Sequence, residues 1–244
     1  VEIGLLGLLA TALINLLFIR LLIRPFSAIT ATLRRIGAGE LGATTGPFRS
    51  QEFQSLAAEI NNMSQTLGKV ESERSHQMAK AGRLQRRLQA EGVQVPGLRV
   101  VHWHRAADHV AGDYFDLLRG PDDSWLICIA DVTGHGVSAA MGAAILKTLL
   151  WSAVESGSDL ASILRHVNSR FSSVTLEEDF ASLLLIKWSP TDRILQYASA
   201  GHETAYLISH HNQTSKMGST GTLIGLATDT AWETQEIPVE QGDR

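Results

Sequence analysis

The sequence predicts an apolar helix of membrane-spanning length, then two heptad-patterned helices, then an α/β (α+β) domain of antiparallel strands and helices. Three observations carry this. Ile3 to Ile19 holds only Thr11 and Asn15 as clearly polar residues and, with Leu21 to Ile23, gives roughly twenty apolar residues, enough to cross a bilayer. Leu22, Phe26, Ile29, Leu33 and Ile36 then step by fours and threes, the seam of a coiled-coil helix. Beyond Pro96-Gly97 the pattern changes to short apolar runs bounded by turn residues, which read as strands.

The balance of 244 residues is mildly acidic, with a net charge of −4 and a pI near 6.1, which argues against a general nucleic-acid binder. The single cysteine, Cys128, lies inside an apolar run, so no disulfide framework exists and a reducing compartment is expected. The apolar segment, residues 1–23, differs from a signal peptide. Glu2 precedes it, while Arg20, Arg24, Arg34 and Arg35 follow, which places its C-terminal side in the cytoplasm.

Pro25 stands in a first helical turn, where its missing N–H does no harm. The first seam ends at Gly37-Ala38-Gly39-Glu40-Leu41, and a glycine-rich connector runs to about Arg49. A second seam follows through Phe53, Leu56, Ile60, Met63, Leu67 and Val70. Two such helices directly after an apolar helix resemble a HAMP domain, here residues 24–70. The likeness rests on Pro25, the Gly39-Glu40-Leu41 corner, Glu52, Asn61 and Met63; Gln51 stands where the family has aspartate. It implies a parallel four-helix coiled coil made by two chains, and therefore a homodimer.

Residues 71–95 form a polar, helix-prone linker. The step from Leu67 to Met78 is about eleven residues, a stutter, before Met78, Ala81, Leu84 and Leu88 restore a seam. Such a linker either passes helix rotation downstream or is a solvated helix, and Arg83, Arg86 and Arg87 read as a solvated face. In residues 96–244, strands are expected at Leu98–His104, Asp113–Leu118, Trp125–Ala130, Ser182–Trp188, Ile194–Ser199 and Thr204–Ile208, and helices at Val137–Glu155 and Leu160–Ser172. Short turns such as Ser189-Pro-Thr-Asp192 imply antiparallel pairing.

Chemistry concentrates at two glycine-flanked aspartates. Asp113 lies in Ala111-Gly112-Asp113-Tyr114-Phe115-Asp116, and Asp131 closes the run Trp125–Ala130 before Val132-Thr133-Gly134-His135-Gly136. An apolar run that stops at a carboxylate delivers an acid to the end of a strand. Two such ends side by side supply hard oxygen ligands of the kind Mg²⁺ and Mn²⁺ prefer. The plainer reading is that both aspartates cap turns. Asp116 falls on the opposite face of the strand from Asp113 and is read as support for the sheet.

These motifs resemble the metal-dependent PPM-type serine/threonine protein phosphatases in their SpoIIE-like branch. Val137–Lys147, Val167-Asn168, Phe180–Leu183, Ala200-Gly201-His202 and Thr222–Leu226 follow in the family's order. The resemblance implies two antiparallel sheets sandwiched between helices, and two Mn²⁺ or Mg²⁺ ions held by Asp113, Asp131 and the backbone carbonyl of Val132. It implies a phosphorylated regulatory protein as partner, often an anti-anti-sigma factor. It also places two further metal aspartates beyond Arg244. Both chain ends are read as cut, and residues 1–244 alone as nearly inactive.

Gly112, Gly134 and Gly136 are expected to allow tight turns beside the ions, and His202 to position a loop. His135 is the catalytic candidate, as a general acid, though its distance from Asp131 differs from the family's and favours support of the loop or helix start. The small-sided helix around Ala139, Ala140, Gly142, Ala143 and Ala144 is expected to lie close to the sheet. Two other functions compete: a PPM fold without activity that binds partners, and a sensor histidine kinase using His76. The second lacks the residues of a phospho-accepting site and the ATP-binding boxes.

Overall fold

The computed structural model describes residues 2–89, 92–105, 109–121, 123–156 and 159–244. The chain divides into two compact units, residues 1–77 and 78–244. In the first, α1 (Glu2–Phe18) runs through a π-helical turn at Ile19–Ile23 into α2 (Arg24–Gly37). The apolar stretch is long enough to cross a membrane, and its described side chains are exposed. Pro25 does sit in the first turn of α2, yet Phe18, Ile23 and Arg24 all keep right-handed helical angles. A proline inside a helix removes one N–H and crowds the carbonyl four residues back. The wider π turn just ahead of it accommodates both effects without a break.

After α2 the backbone turns at Gly39, whose φ of 94° suits glycine, and Glu40 folds back to pair with Arg35. The connector is pinned to α3 (Gln51–Leu88) by polar side chains. Asn61 accepts from Thr45 N at 2.8 Å and donates to Thr45 O at 3.1 Å, and Ser64 Oγ accepts from Gly42 N at 3.0 Å. Ile29, Ile36, Ala43 and Ile60 bury together against Phe48 and Phe53. The rest of the two seams stays open: Phe26, Leu33, Leu56, Met63, Leu67 and Val70 are between 42% and 66% exposed.

The second unit is built on a five-stranded antiparallel sheet in the order β1-β2-β3-β4-β7. Its strands are β1 (Asp113–Arg119), β2 (Trp125–Val132), β3 (Ala181–Trp188), β4 (Ile194–Ala200) and β7 (Gln235–Pro238). A separate pair, β5 (Ala205–Ile208) and β6 (Thr214–Met217), lies between β4 and β7 in the chain. Helices α4 (Gly136–Glu155) and α5 (Leu160–Val174) cover one face of the large sheet. Leu146, Leu150, Leu164, Val167 and Phe171 meet Cys128, Ala130, Val132, Leu183 and Leu185 there. On the other face, Met217 of β6 joins Leu184 and Tyr197, with Ala205 and Leu207 beside them. The two antiparallel sheets with helices outside the larger one are the α/β arrangement the resemblance implies.

The small residues of α4 have a measurable purpose. Ala139, Gly142 and Ala143 are buried, and a Cβ on Gly142 would lie 2.7 Å from Val132 Cγ1. Only hydrogen fits there, so α4 lies directly on β2. Asp159 caps α5, accepting from Ser162 N at 3.0 Å and holding its carboxyl below the usual range through the Ser162 hydroxyl and amide.

Three elements depart from the expectations. Leu98–His104 is no strand. Its alternation is satisfied by docking instead: Leu98 and Val100 pack with Phe115, Leu117 and Trp188. β6 is polar at three of its four positions and hid among turn residues. β7 is a short edge strand ending in Pro238, a residue tolerated only where no ladder partner needs its N–H.

Candidate metal centre

The antiparallel register of β1 and β2 places Asp113 directly opposite Asp131. Residues opposite one another send their side chains to the same face, so the two carboxylates leave the sheet together at one end. β3 extends the row, with Ser182 opposite Asp131. Ser182 Oγ shares a hydrogen bond of 2.8 Å with His202 Nδ1, from the loop after β4. On the other flank His104 Nε2 lies 3.3 Å from Asp113 Oδ2, while His102 stacks on Phe115. The Asp113 side chain is 54% exposed, so the row is open to solvent.

Electrostatics mark the pair. The Asp131 carboxyl is raised above its ordinary range, first by its loss of solvent and next by Asp113 facing it; His202 pulls the other way. The His202 imidazole is lowered by burial, against the opposing pull of Glu203 and Asp131. Two facing carboxylates, one reluctant to ionise, form a site that a cation relieves. The residues present fit a hard divalent ion through these oxygens, with water as the other ligand. Among the described residues, no group of three or more His, Cys, Asp and Glu side chains is gathered closely enough to hold an ion by itself.

The loop from β2 to α4 is fixed by its backbone. Gly134 and Gly136 take φ of 89° and 71°, angles that favour glycine. Thr133 Oγ1 donates to Phe180 O and accepts from Phe180 N, both at 3.0 Å. His135 is the N-cap residue of α4 in extended conformation, without a side-chain capping bond. Among the described residues it makes no hydrogen bond or ion pair with Asp113 or Asp131. Gly112 differs from the other glycines: its need is space, since a Cβ would meet Val132 O at 2.5 Å and Ala139 Cβ at 3.2 Å. The Val132 carbonyl therefore lies against Gly112, while its side chain is in the core on the far face from Asp131.

Asp116 lies on that far face too. It is 3% exposed, pairs with Lys147 of α4, and accepts from Tyr114 Oη at 2.7 Å and from Leu117 N at 2.9 Å. Burial pushes the Tyr114 hydroxyl and the Cys128 thiol far up, with the Asp116 charge adding to both. The sequence reading missed His104, Ser182 and Glu203 at the site. Glu203 had a signal, an acid directly after Gly201-His202 at a strand end; His104 and Ser182 had none apart from register.

The fold is of the PP2C type: the SiaA-PP2C domain of Pseudomonas aeruginosa superposes with a TM-score of 0.61 at 22% identity, covering 71% of this chain and 70% of that one. A HAMP domain matches residues 17–69, and the family described as Stage II sporulation protein E (SpoIIE) matches residues 121–244. The chain belongs to the SpoIIE family of PPM-type phosphatases, with a HAMP domain ahead of the phosphatase fold. The phosphoserine phosphatase RsbU of Bacillus subtilis (strain 168) is 25% identical over 186 residues, 73% of this chain and 54% of RsbU. Protein IcfG of Synechocystis sp. is 25% identical over 166 residues, 56% of this chain and 26% of IcfG. The chain thus spans about half the length of the first relative and a quarter of the second.

Proposed function

We propose that this chain is a membrane-anchored signalling phosphatase that removes phosphate from phosphoserine or phosphothreonine of a regulatory partner protein, of the anti-anti-sigma-factor type. The observation that carries this is the register that sets Asp113 opposite Asp131 at an open sheet end. Residues 1–23 anchor the chain in the bacterial inner membrane, 24–70 form the HAMP unit, 71–95 the linker and 96–244 the phosphatase domain, all beyond the anchor being cytoplasmic. Asp113 and Asp131 hold two divalent ions, with the Val132 carbonyl as a further oxygen. Bound Mn²⁺ or Mg²⁺ supplies an acidified water and neutralises phosphoryl charge. Gly112 lets the entry to β1 lie against Val132, Gly134 and Gly136 let the β2–α4 loop turn, Ser182 orients His202 beside Asp131, and His135 starts α4.

Two carboxylates give two negative charges, whereas hard cations want about six oxygen ligands each. Residues 1–244 are therefore expected to bind Mn²⁺ weakly, and to release phosphate from a phosphoserine protein slowly, in a manner abolished by EDTA. Tight binding of two Mn²⁺ would show that other acids complete the site. Release that ignores EDTA would sink the metal reading.

The exposed apolar stripe supports the homodimer. Leu56, Met63, Leu67 and Val70 share one face of α3, and an uncovered stripe of this kind marks an interface. Leu67→Cys is expected to crosslink two copies on mild oxidation, and Gln65→Cys, on the opposite face, is not. Cys128 is buried and does not interfere. Equal crosslinking at both positions would refute the seam.

A further inference from the structure

The end of α3, from Met78 onward, belongs to the same unit as the sheet. Two contacts tie it to the segment that enters β1. Gln85 Nε2 donates to Ala111 O at 2.6 Å, and Gln85 Oε1 accepts from Ala111 N at 3.1 Å. One side-chain amide thus satisfies both backbone groups of one residue, as a neighbouring strand would. One turn earlier, Gly82 is buried so tightly that a Cβ would lie 2.1 Å from the His109 carbonyl oxygen.

The placement matters because β1 is an edge strand. Gly112 accepts from Val132 N at 3.3 Å on the β2 side. Successive residues of a strand turn their backbone groups to opposite edges, so Ala111 faces the edge that β2 cannot serve. Gln85 serves it. Gly112 is meanwhile wedged against Val132 O and Ala139, and Leu88 and Gln89 share a crevice with Asp113 and Tyr114. The entry to β1 is therefore gripped between the end of α3 and the β2–α4 corner.

We propose that Gln85 is a positioning residue for Asp113. The amide of Gln85 and the bare backbone at Gly82 set the height at which the chain enters β1, and with it the separation of the Asp113 and Asp131 carboxylates. Divalent-cation affinity then depends on where the end of α3 sits. A turn of α3 by one residue, about 100°, carries Gln85 off Ala111 and releases the grip. The inference rests on Asp113 and Asp131 being metal ligands.

The test uses residues 1–244 in lipid nanodiscs, with Mn²⁺ alone as the probe, read by electron paramagnetic resonance, and amide hydrogen exchange at Ala111. Gln85→Ala and Gly82→Ala are expected to speed Ala111 exchange about tenfold and weaken Mn²⁺ binding by a similar factor, the order expected for losing paired hydrogen bonds. Arg83→Ala, an exposed neighbour, is expected to change neither, and the thermal midpoint of Gln85→Ala is expected to match it. Gln85→Glu still accepts from the Ala111 N–H but turns a carboxylate oxygen toward Ala111 O, and is expected to recover the slow exchange only in part. Exchange in Gln85→Ala equal to that in Arg83→Ala overturns the proposal, as does faster exchange with unchanged Mn²⁺ affinity. Asp131→Asn serves as the control: Mn²⁺ binding that ignores it removes the metal assignment, and the positioning role with it, and is thereby told apart from failure of the grip alone.

Discussion

Asp131→Asn is expected to weaken Mn²⁺ binding by about a hundredfold or more and to take phosphate release to background. Even groups that only support a metal's ligands typically cost ten- to a hundredfold when replaced, and Asp131 would be a ligand. Asparagine keeps the shape of the side chain and its place opposite Asp113, so the fold has no reason to change. The substitution removes one of two facing charges, and with it the repulsion from Asp113 that helps raise the Asp131 carboxyl. The apo protein is therefore expected to be as stable as the parent, or slightly more so, while losing the ion. Isothermal titration with Mn²⁺ beside a thermal melt separates the two effects. Mn²⁺ affinity within a factor of about three of the parent would mean that the ion, if bound, is held elsewhere.

Asp116→Ala is expected to do the reverse, costing stability and sparing the ion. The carboxylate is buried, pairs with Lys147, and accepts from Tyr114 and Leu117. Removing one partner of a buried pair leaves the other charge uncompensated, at about 3–5 kcal/mol. For a chain of this size that lowers the melting midpoint by about 10 °C or more. Asp116 and Asp113 share a strand but face opposite sides, so Mn²⁺ affinity measured well below the melt is expected to hold within about twofold. Adding Lys147→Met to Asp116→Ala removes the stranded ammonium and is expected to recover part of the loss. A melt unchanged by Asp116→Ala, or Mn²⁺ binding lost as fully as in Asp131→Asn, would refute this division of roles.

The contrast between these two aspartates was legible in the sequence, because face alternation along a strand needs only counting. So were β1 to β4 and both domain helices, whose apolar runs end at Gly, Pro, Ser or Asp. What escaped depends on partners distant in the chain. Nothing local tells that Leu98 and Val100 dock on a sheet face without joining a ladder, or that Ser182 falls in line with Asp113 through two successive registers. The heptad pattern had a related blind spot. It puts Ile60 and Leu67 on one seam, yet Ile60 is buried with α2 and the connector of its own chain, while Leu67 is left open. Spacing marks a residue as apolar-facing; only the folded hairpin decides which positions it uses internally.

The π turn at Ile19–Ile23 carries a consequence for the phase of the N-terminal rod. A π turn holds about one residue more than an α turn, and each residue of a regular helix advances the azimuth by about 100°. The bulge thus offsets the compass bearing of everything in α1 from that of Phe26, Ile29 and Leu33 in α2. Closing it into ordinary α-helix would give α1 a new bearing relative to α2. The bearing of the apolar helix relative to the heptad seam is thus set at this one turn, directly ahead of Pro25.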